Sequence, residues 1–133
     1  QARRAAGRGG RMSLTDRDLI EFAAIAIGAT AHEPSFKGDI RKFTAAGFSG
    51  WFSPLEFKGQ ALVLATKLRL DVEFWDGFKQ VVCRRSQDKE NFEMHGIVGY
   101  GQGTDPHPTV ENVARAILIA AANIGMRMQE KHS

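Results

Sequence analysis

The dipeptide Asp76-Gly77 sits between two β-prone runs, DVEFW and FKQVVCRR. Asp-Gly in that setting is a strong hairpin signal, because a type I′ turn needs positive φ at both central positions. The spacing therefore predicts an antiparallel strand pair on either side of residues 76 and 77. Alternation puts Val72 and Phe74 on one face and Asp71, Glu73 and Trp75 on the other. In the second strand, Phe78, Gln80, Val82 and Arg84 oppose Lys79, Val81 and Cys83. Ser86 to Glu90 reads as a polar loop, and Asn91 to Tyr100 as a third strand with Phe92, Met94 and Val98 on one side. The three strands make an antiparallel meander.

Three helices are expected to cover it. Residues 15–28, TDRDLIEFAAIAIG, begin at a capping Thr15, carry Asp16 and Asp18 in the positively polarised first turn, and reach a stop at Gly28. Leu19, Phe22, Ala23 and Ala26 share a face, with Ile20 and Ile27 beside it. Pro54 starts the second helix, where a missing N–H is harmless. Leu62, Ala65 and Leu68 recur along it, with Ala61 and Leu64 adjacent, and Gly59 delays its firm start. Thr109 caps the third helix, VENVARAILIAAANIG, whose apolar face is Val110, Val113, Ala114, Ile117, Ala121 and Ile124. Gly125 is its expected stop, and MRMQEKHS is expected to fray. Residues 29–38 read as a connection, and Ile40–Thr44 with Gly47–Phe52 as two short strands around Ala45-Ala46-Gly47.

The expected fold class is α+β, in the order α-β-β-α-β-β-β-α. A three-stranded antiparallel meander and a short hairpin pack with three helices in a sandwich-like arrangement, since every apolar stripe needs an apolar partner. The length of 133 residues suits one domain, placed at 12–128, with 129–133 as a frayed end. A single cysteine excludes an internal disulfide. No apolar run approaches the roughly 18 residues that span a bilayer.

The net charge of +3 is concentrated in residues 1–11, QARRAAGRGGR, which hold Arg3, Arg4, Arg8 and Arg11 and no acid. Without those four of the 18 basic residues, 14 remain against 15 acidic ones. The rest of the chain is thus near neutral. The tail is expected to be disordered, and to be vector-derived or an upstream extension before a native start at Met12 rather than a nucleic-acid-binding arm.

Two phrases carry a family resemblance. FSPLEFKGQALVLATKLRLDV, Phe52–Val72, contains an aromatic, a polar residue and a proline, then Ala61, Leu62, Leu64, Ala65, Lys67 and Leu68, then a strand. VARAILIAAANIG, Val113–Gly125, is the second. Together they resemble the phage α-β-α sandwich domain family, small phage and prophage proteins of unknown function, over roughly residues 15–126. Glu56-Phe57-Lys58 departs from that family's pattern, which often has acidic residues there. The resemblance implies the fold and a phage origin, and it implies no activity.

Motifs for chemistry are weak. Gly99, Gly101 and Gly103 stand between a strand and a helix, as in phosphate-binding loops. Their spacing matches neither GxGxxG nor GxxxxGK[ST], and Asp105 and Glu111 place negative charge where a phosphate would sit. His32, His95, His107 and His132 form no pair at ligand spacing. His95 reads as a half-exposed strand residue and Cys83 as a small strand apolar. Asp71, Glu73 and Asp76 read as a solvated face. The sequence therefore points to a non-enzyme without a cofactor or metal. Its candidate contact surface is Trp51, Trp75, Phe78, Lys79, Arg84 and Arg85. The expected partner is another protein or a second copy, in a bacterial cytoplasm. The first alternative is nucleic acid, through the basic and aromatic hairpin, the second an enzyme of unknown class, and no membrane contact is expected.

Overall fold

The computed structural model describes residues 14–34, 41–45, 48–101 and 107–131, with side chains for 14–29, 52–101 and 107–131. The Arg-rich tail, the Met12 start, residues 46 and 47 of the small turn, and Gly103 lie outside the described residues.

Helix α1, Asp16–Ala26, is started and stopped by its own chemistry. Thr15 Oγ1 accepts the Asp18 N–H at 3.1 Å, and the Asp18 carboxylate accepts the Thr15 N–H at 3.1 Å. This reciprocal cap satisfies two N–H groups that the first turn leaves unpaired. At the other end Gly28 takes φ +72°. The Ala29 N–H then donates to Ala24 O at 2.9 Å, and the Gly28 N–H to Ile25 O at 3.0 Å. That is a Schellman ending, which glycine alone adopts without strain.

Strands β1 (Thr30–Pro34), β2 (Arg41–Ala45) and β3 (Phe48–Trp51) form one antiparallel sheet in that order. The two expected short strands are β2 and β3. Strand β1 is an addition within the segment read as a connection. Its register breaks between Ala31 and Pro34, and a proline with so irregular a ladder gives little period-two signal.

Ser53-Pro54 makes a turn in which Ser53 O accepts the N–H of both Glu56 and Phe57, at 3.0 and 2.8 Å. Helix α2, Lys58–Leu68, follows. Its inward residues are Ala61 and Leu64, with Ala65 and Leu68 partly buried. Leu62, expected on the apolar stripe, is 64% exposed. Ala61, Leu64, Ala65 and Leu68 already complete one face at the 100° helical step, which turns Leu62 outward. Arg69 ends the helix in the left-handed region, with φ 56° and ψ 50°.

The second sheet has the order β4-β5-β6: Leu70–Trp75, Gln80–Arg85 and Gly96–Gly99. It is the expected meander, with two corrections. The third strand is shorter, because Phe92–Met94 forms a 3-10 turn before it. The hairpin turn is not type I′. Trp75 pairs with Gln80, which leaves four residues in the loop. Positive φ falls on Lys79, at 55°, and not on Gly77. Phe78 N–H donates to Trp75 O and Lys79 N–H to Asp76 O, at 3.0 and 3.2 Å. A two-residue turn would shift the ladder by two positions and take Val81 away from Phe74 and Cys83 away from Val72. The strand pairing overrides the turn propensity.

Helix α3, Val110–Lys131, organises the rest. Thr109 Oγ1 accepts the Asn112 N–H at 3.1 Å, and Asn112 Oδ1 accepts the Thr109 N–H at 2.8 Å. The helix does not stop at Gly125. A Cβ at Gly125 would sit inside contact distance of Phe22 O, so this glycine is where α1 crosses α3. A Cβ at Gly96 would collide with Ala116 O and Ala120 N, so β6 lies directly against α3. At 100° per residue, Gly125 lies opposite Ala116 and Ala120 around the helix. The sheet and α1 thus sandwich α3 between them. Its buried residues run all round it, from Ala114 to Gly125, although Val110 is exposed rather than part of an apolar face. Ala61 and Leu64 of α2, Val81 and Cys83 of β5, and Ile117 and Ala121 of α3 share one core.

A two-pronged pair of hydrogen bonds, Arg115 to Asp16 at 2.9 and 3.2 Å, also links α3 to α1. The Arg115 guanidinium holds the Asp16 carboxyl below its ordinary range. That contribution is present above the unfolded carboxylate pKa and is lost as pH falls through the lowered folded value. Among the described residues no helix is long and apolar enough to cross a membrane.

Gly125→Ala and Gly96→Ala are expected to destabilise the protein by ~1–3 kcal/mol or more each, because backbone must move to admit the methyl group. Gly59→Ala, in open space within α2, is expected to stabilise by ~0.5–1 kcal/mol. Urea titrations of the three variants decide between close helix approach and simple helix propensity. At the hairpin, Lys79→Gly is expected to raise stability by up to ~1 kcal/mol by relieving the left-handed backbone. Gly77→Ala is expected to change it by less than ~0.5 kcal/mol, where a type I′ turn would lose far more. Thermal melts of this pair read the turn type directly.

Candidate contact surface

The β4–β5 ladder decides which side chains meet. It pairs Asp71 with Arg84, Glu73 with Val82 and Trp75 with Gln80 on one face, and Val72 with Cys83 and Phe74 with Val81 on the other. The second face lies on α2 and α3. The first carries buried Val82 and a polar group in which Arg84 Nε is buried without a hydrogen-bond partner. Glu73 accepts the indole N–H of Trp75 at 2.8 Å through one carboxylate oxygen, and Arg84 Nη2 at 3.0 Å through the other. The Arg84 guanidinium also lies 5.8 Å from the Trp75 ring centroid, a cation–π position. Arg84 is buried, and Val81 to Arg84 are buried on both faces of the strand.

The hairpin tip extends from this group. Trp75 and Phe78 have ring centroids 6.2 Å apart at 52°, within aromatic pairing range. Phe78 is 73% exposed and Phe74 49%. Tyr100 braces the loop from the next strand. Its N–H donates to Lys79 O at 2.9 Å, and its hydroxyl donates to the Asp76 carboxylate. That hydrogen bond pushes the Tyr100 hydroxyl above its usual range, because ionisation would forfeit the donor.

The structure thus brings Trp75, Phe78 and Arg84 together, with Lys79 exposed on the same loop. Arg85 points to the opposite face at the far end of β5, where its Nε lies 2.7 Å from the Asp88 carboxylate. Trp51 ends β3, and its side chain lies outside the described residues. Sequence reasoning missed Glu73, which it placed on a solvated face. The signal was present, since Glu73, Trp75 and Arg84 share a face once the hairpin register is known.

More apolar surface gathers toward this end. Gly96 meets Ala116, and Asn123 Nδ2 donates to His95 O at 3.1 Å. The helix therefore runs away from the hairpin tip, and its first turn lies toward it. Lys58 Nζ, 3.9 Å from Glu111, draws in the start of α2. Phe57 and Val110, beside that ion pair in sequence, are both exposed.

Two groups with chemical potential are locked. His95 is buried and precedes β6, a correction to its half-exposed reading. Its Nε2 lies 2.8 Å from Asp88 O. A carbonyl only accepts, so Nε2 carries the proton. Cys83 is fully buried, and that burial, with the Asp71 charge adding to it, pushes the thiol up to about 12. Among the described residues no three His, Cys, Asp or Glu side chains are grouped to hold a metal ion. A shallow polar depression of about 80 Å³ is lined by Glu93, Met94, Asn123, Met126, Arg127 and Glu130. It falls well short of the ~300 Å³ at which small-molecule pockets begin.

No protein-family model, curated protein or solved structure matches the chain.

Cys83 is expected to resist a thiol reagent such as a disulfide dye at pH 8 in the folded protein and to react promptly in denaturant, since only the thiolate attacks. Fast native-state labelling would show the strand to be open.

Proposed function

We propose that the protein acts by binding another protein through the aromatic end of the β4–β5 hairpin, without catalysing a reaction. One observation carries this reading: Phe78 is the most exposed large apolar side chain among the described residues, and it packs at a tilt against a Trp75 held by Glu73 and Arg84. A pre-ordered aromatic anchor loses little conformational freedom on binding, which is why such residues dominate interface energetics. Phe74, 49% exposed, adds apolar area on the other face of the same hairpin.

The nucleic-acid reading has less support. Arg84 is paired with Glu73 and Arg85 with Asp88. Phosphate binding draws its affinity from released counterions around unpaired cations, and these two cations are already neutralised. A phage or prophage origin and a place in the bacterial cytoplasm belong to the same proposal. The origin rests on the phrases Phe52–Val72 and Val113–Gly125.

A photo-reactive phenylalanine analogue replacing Phe78 is expected to cross-link one discrete protein species in cells. The same analogue replacing the exposed Ser86 is expected to give none. Phe78→Ser is expected to weaken capture of that species by about 2 kcal/mol, the scale of an interface anchor. Equal adducts from both positions, or none from either, would sink the reading.

A further inference from the structure

Among the described residues the two sheets present four outer strands, and three carry devices that discourage pairing. β1 contains Pro34 and an irregular register. β3 has four residues, including Gly50. β6 also has four, and begins and ends with glycine. Proline, irregularity and short length all blunt an edge. Strand β4 is different. It has six residues, LDVEFW, with no proline or glycine, and its ladder with β5 runs without a break from Leu70 to Trp75. Among the described residues it pairs with β5 alone. A regular strand of that length leaves a row of backbone donors and acceptors on its outer side.

The side chains select what adds there. Leu70, Val72 and Phe74 lie on the face covered by α2 and α3, and Phe74 projects half-exposed. Asp71 and Glu73 lie on the other face. A second copy is disfavoured by these carboxylates. Antiparallel pairing about a two-fold axis keeps each face on its own side. In one central register Val72 meets its counterpart, and Asp71 meets Glu73 of the other copy twice. In the other, Asp71 meets Trp75, so neither register supplies a cation to Asp71. Like charges directly opposite destabilise a sheet pair. Glu73 is already engaged by Trp75 and Arg84, so exposed Asp71 is the carboxylate left to meet an incoming cation.

We propose that β4 accepts an extended segment of another protein as an added strand. That segment has apolar side chains on the helix-covered face and a lysine or arginine opposite Asp71. The inference rests on the protein-binding reading and names its partner's chemistry: backbone hydrogen bonds supply affinity, and alternate side chains supply selectivity.

Blocked hexapeptides of alternating valine and lysine, or valine and glutamate, test it against amide hydrogen exchange of the full chain. With the lysine peptide at ten times its dissociation constant, outward-facing β4 amides are expected to exchange about tenfold more slowly. The glutamate peptide is expected to leave them unchanged. Asp71→Lys, at an exposed site, is expected to reverse that preference, with unchanged exchange in α3 showing that the fold is kept. Unchanged β4 amides with both peptides would overturn the proposal, and equal slowing by both would overturn its basic partner. If β4 stays unprotected while Phe78-dependent cross-linking persists, this inference fails and the aromatic-tip reading stands.

Discussion

Everything in this fold depends on α3 being thin enough to lie between two layers. Helices normally pack with axes 8–10 Å apart, a distance set by the side chains at the contact. Here those side chains are nearly absent. Gly125 lets the backbone of α1 at Phe22 approach from one side, and Gly96 lets β6 approach Ala116 and Ala120 from the other. The alanines between them, Ala114, Ala120, Ala121 and Ala122, are buried all round the helix. Small residues contribute little transfer free energy each. What they permit is contact by the larger groups around them: Leu64 of α2, Val81 of β5 and Ile117 of α3 are all fully or nearly fully buried. The cohesion of the domain is therefore shared among elements distant in sequence.

That requirement propagates into the hairpin. β5 is the central strand, and its Val81 and Cys83 face the core. In the observed register β4 brings Phe74 opposite Val81 and Val72 opposite Cys83, and the loop is left with four residues. Lys79 then occupies a backbone region that glycine would occupy more easily, while Gly77 holds no special conformation. Local propensity at Asp76-Gly77 favoured a tighter turn. Packing across six paired residues outweighed it, as tertiary context commonly does when the two disagree. Tyr100, reaching back to Asp76 and Lys79, reinforces the longer loop.

This shows which parts of the structure were legible. Thr15 and Thr109 announced helix starts, and both caps form as reciprocal hydrogen bonds with the residue three positions on. The meander was legible from alternation and the α+β class from element order. Gly28 and Gly125 look alike in the sequence, each ending an apolar helical run. One is a stop at φ +72°, and the other is a crossing point inside a helix that continues to Lys131. Only the position of α1 tells them apart, and that is long-range information. The same holds for His95 and Leu62, whose exposure depends on which neighbours arrive. Of the contact surface, the aromatic members were visible and their environment was not. Glu73 and Asp88 come within reach of Arg84 and Arg85 only through register and the 3-10 turn Ser86–Asp88.

The local charge balance also shapes the hairpin. A buried guanidinium held at 3.0 Å by a carboxylate and lying over an indole is a poor phosphate hook, since a phosphate would have to reach it and displace that carboxylate. It is a good brace. Glu73, Arg84 and Trp75 fix one another's orientation, so the indole presents a set surface and Phe78 leans on it. Such an arrangement converts polar groups into rigidity and leaves apolar area facing water.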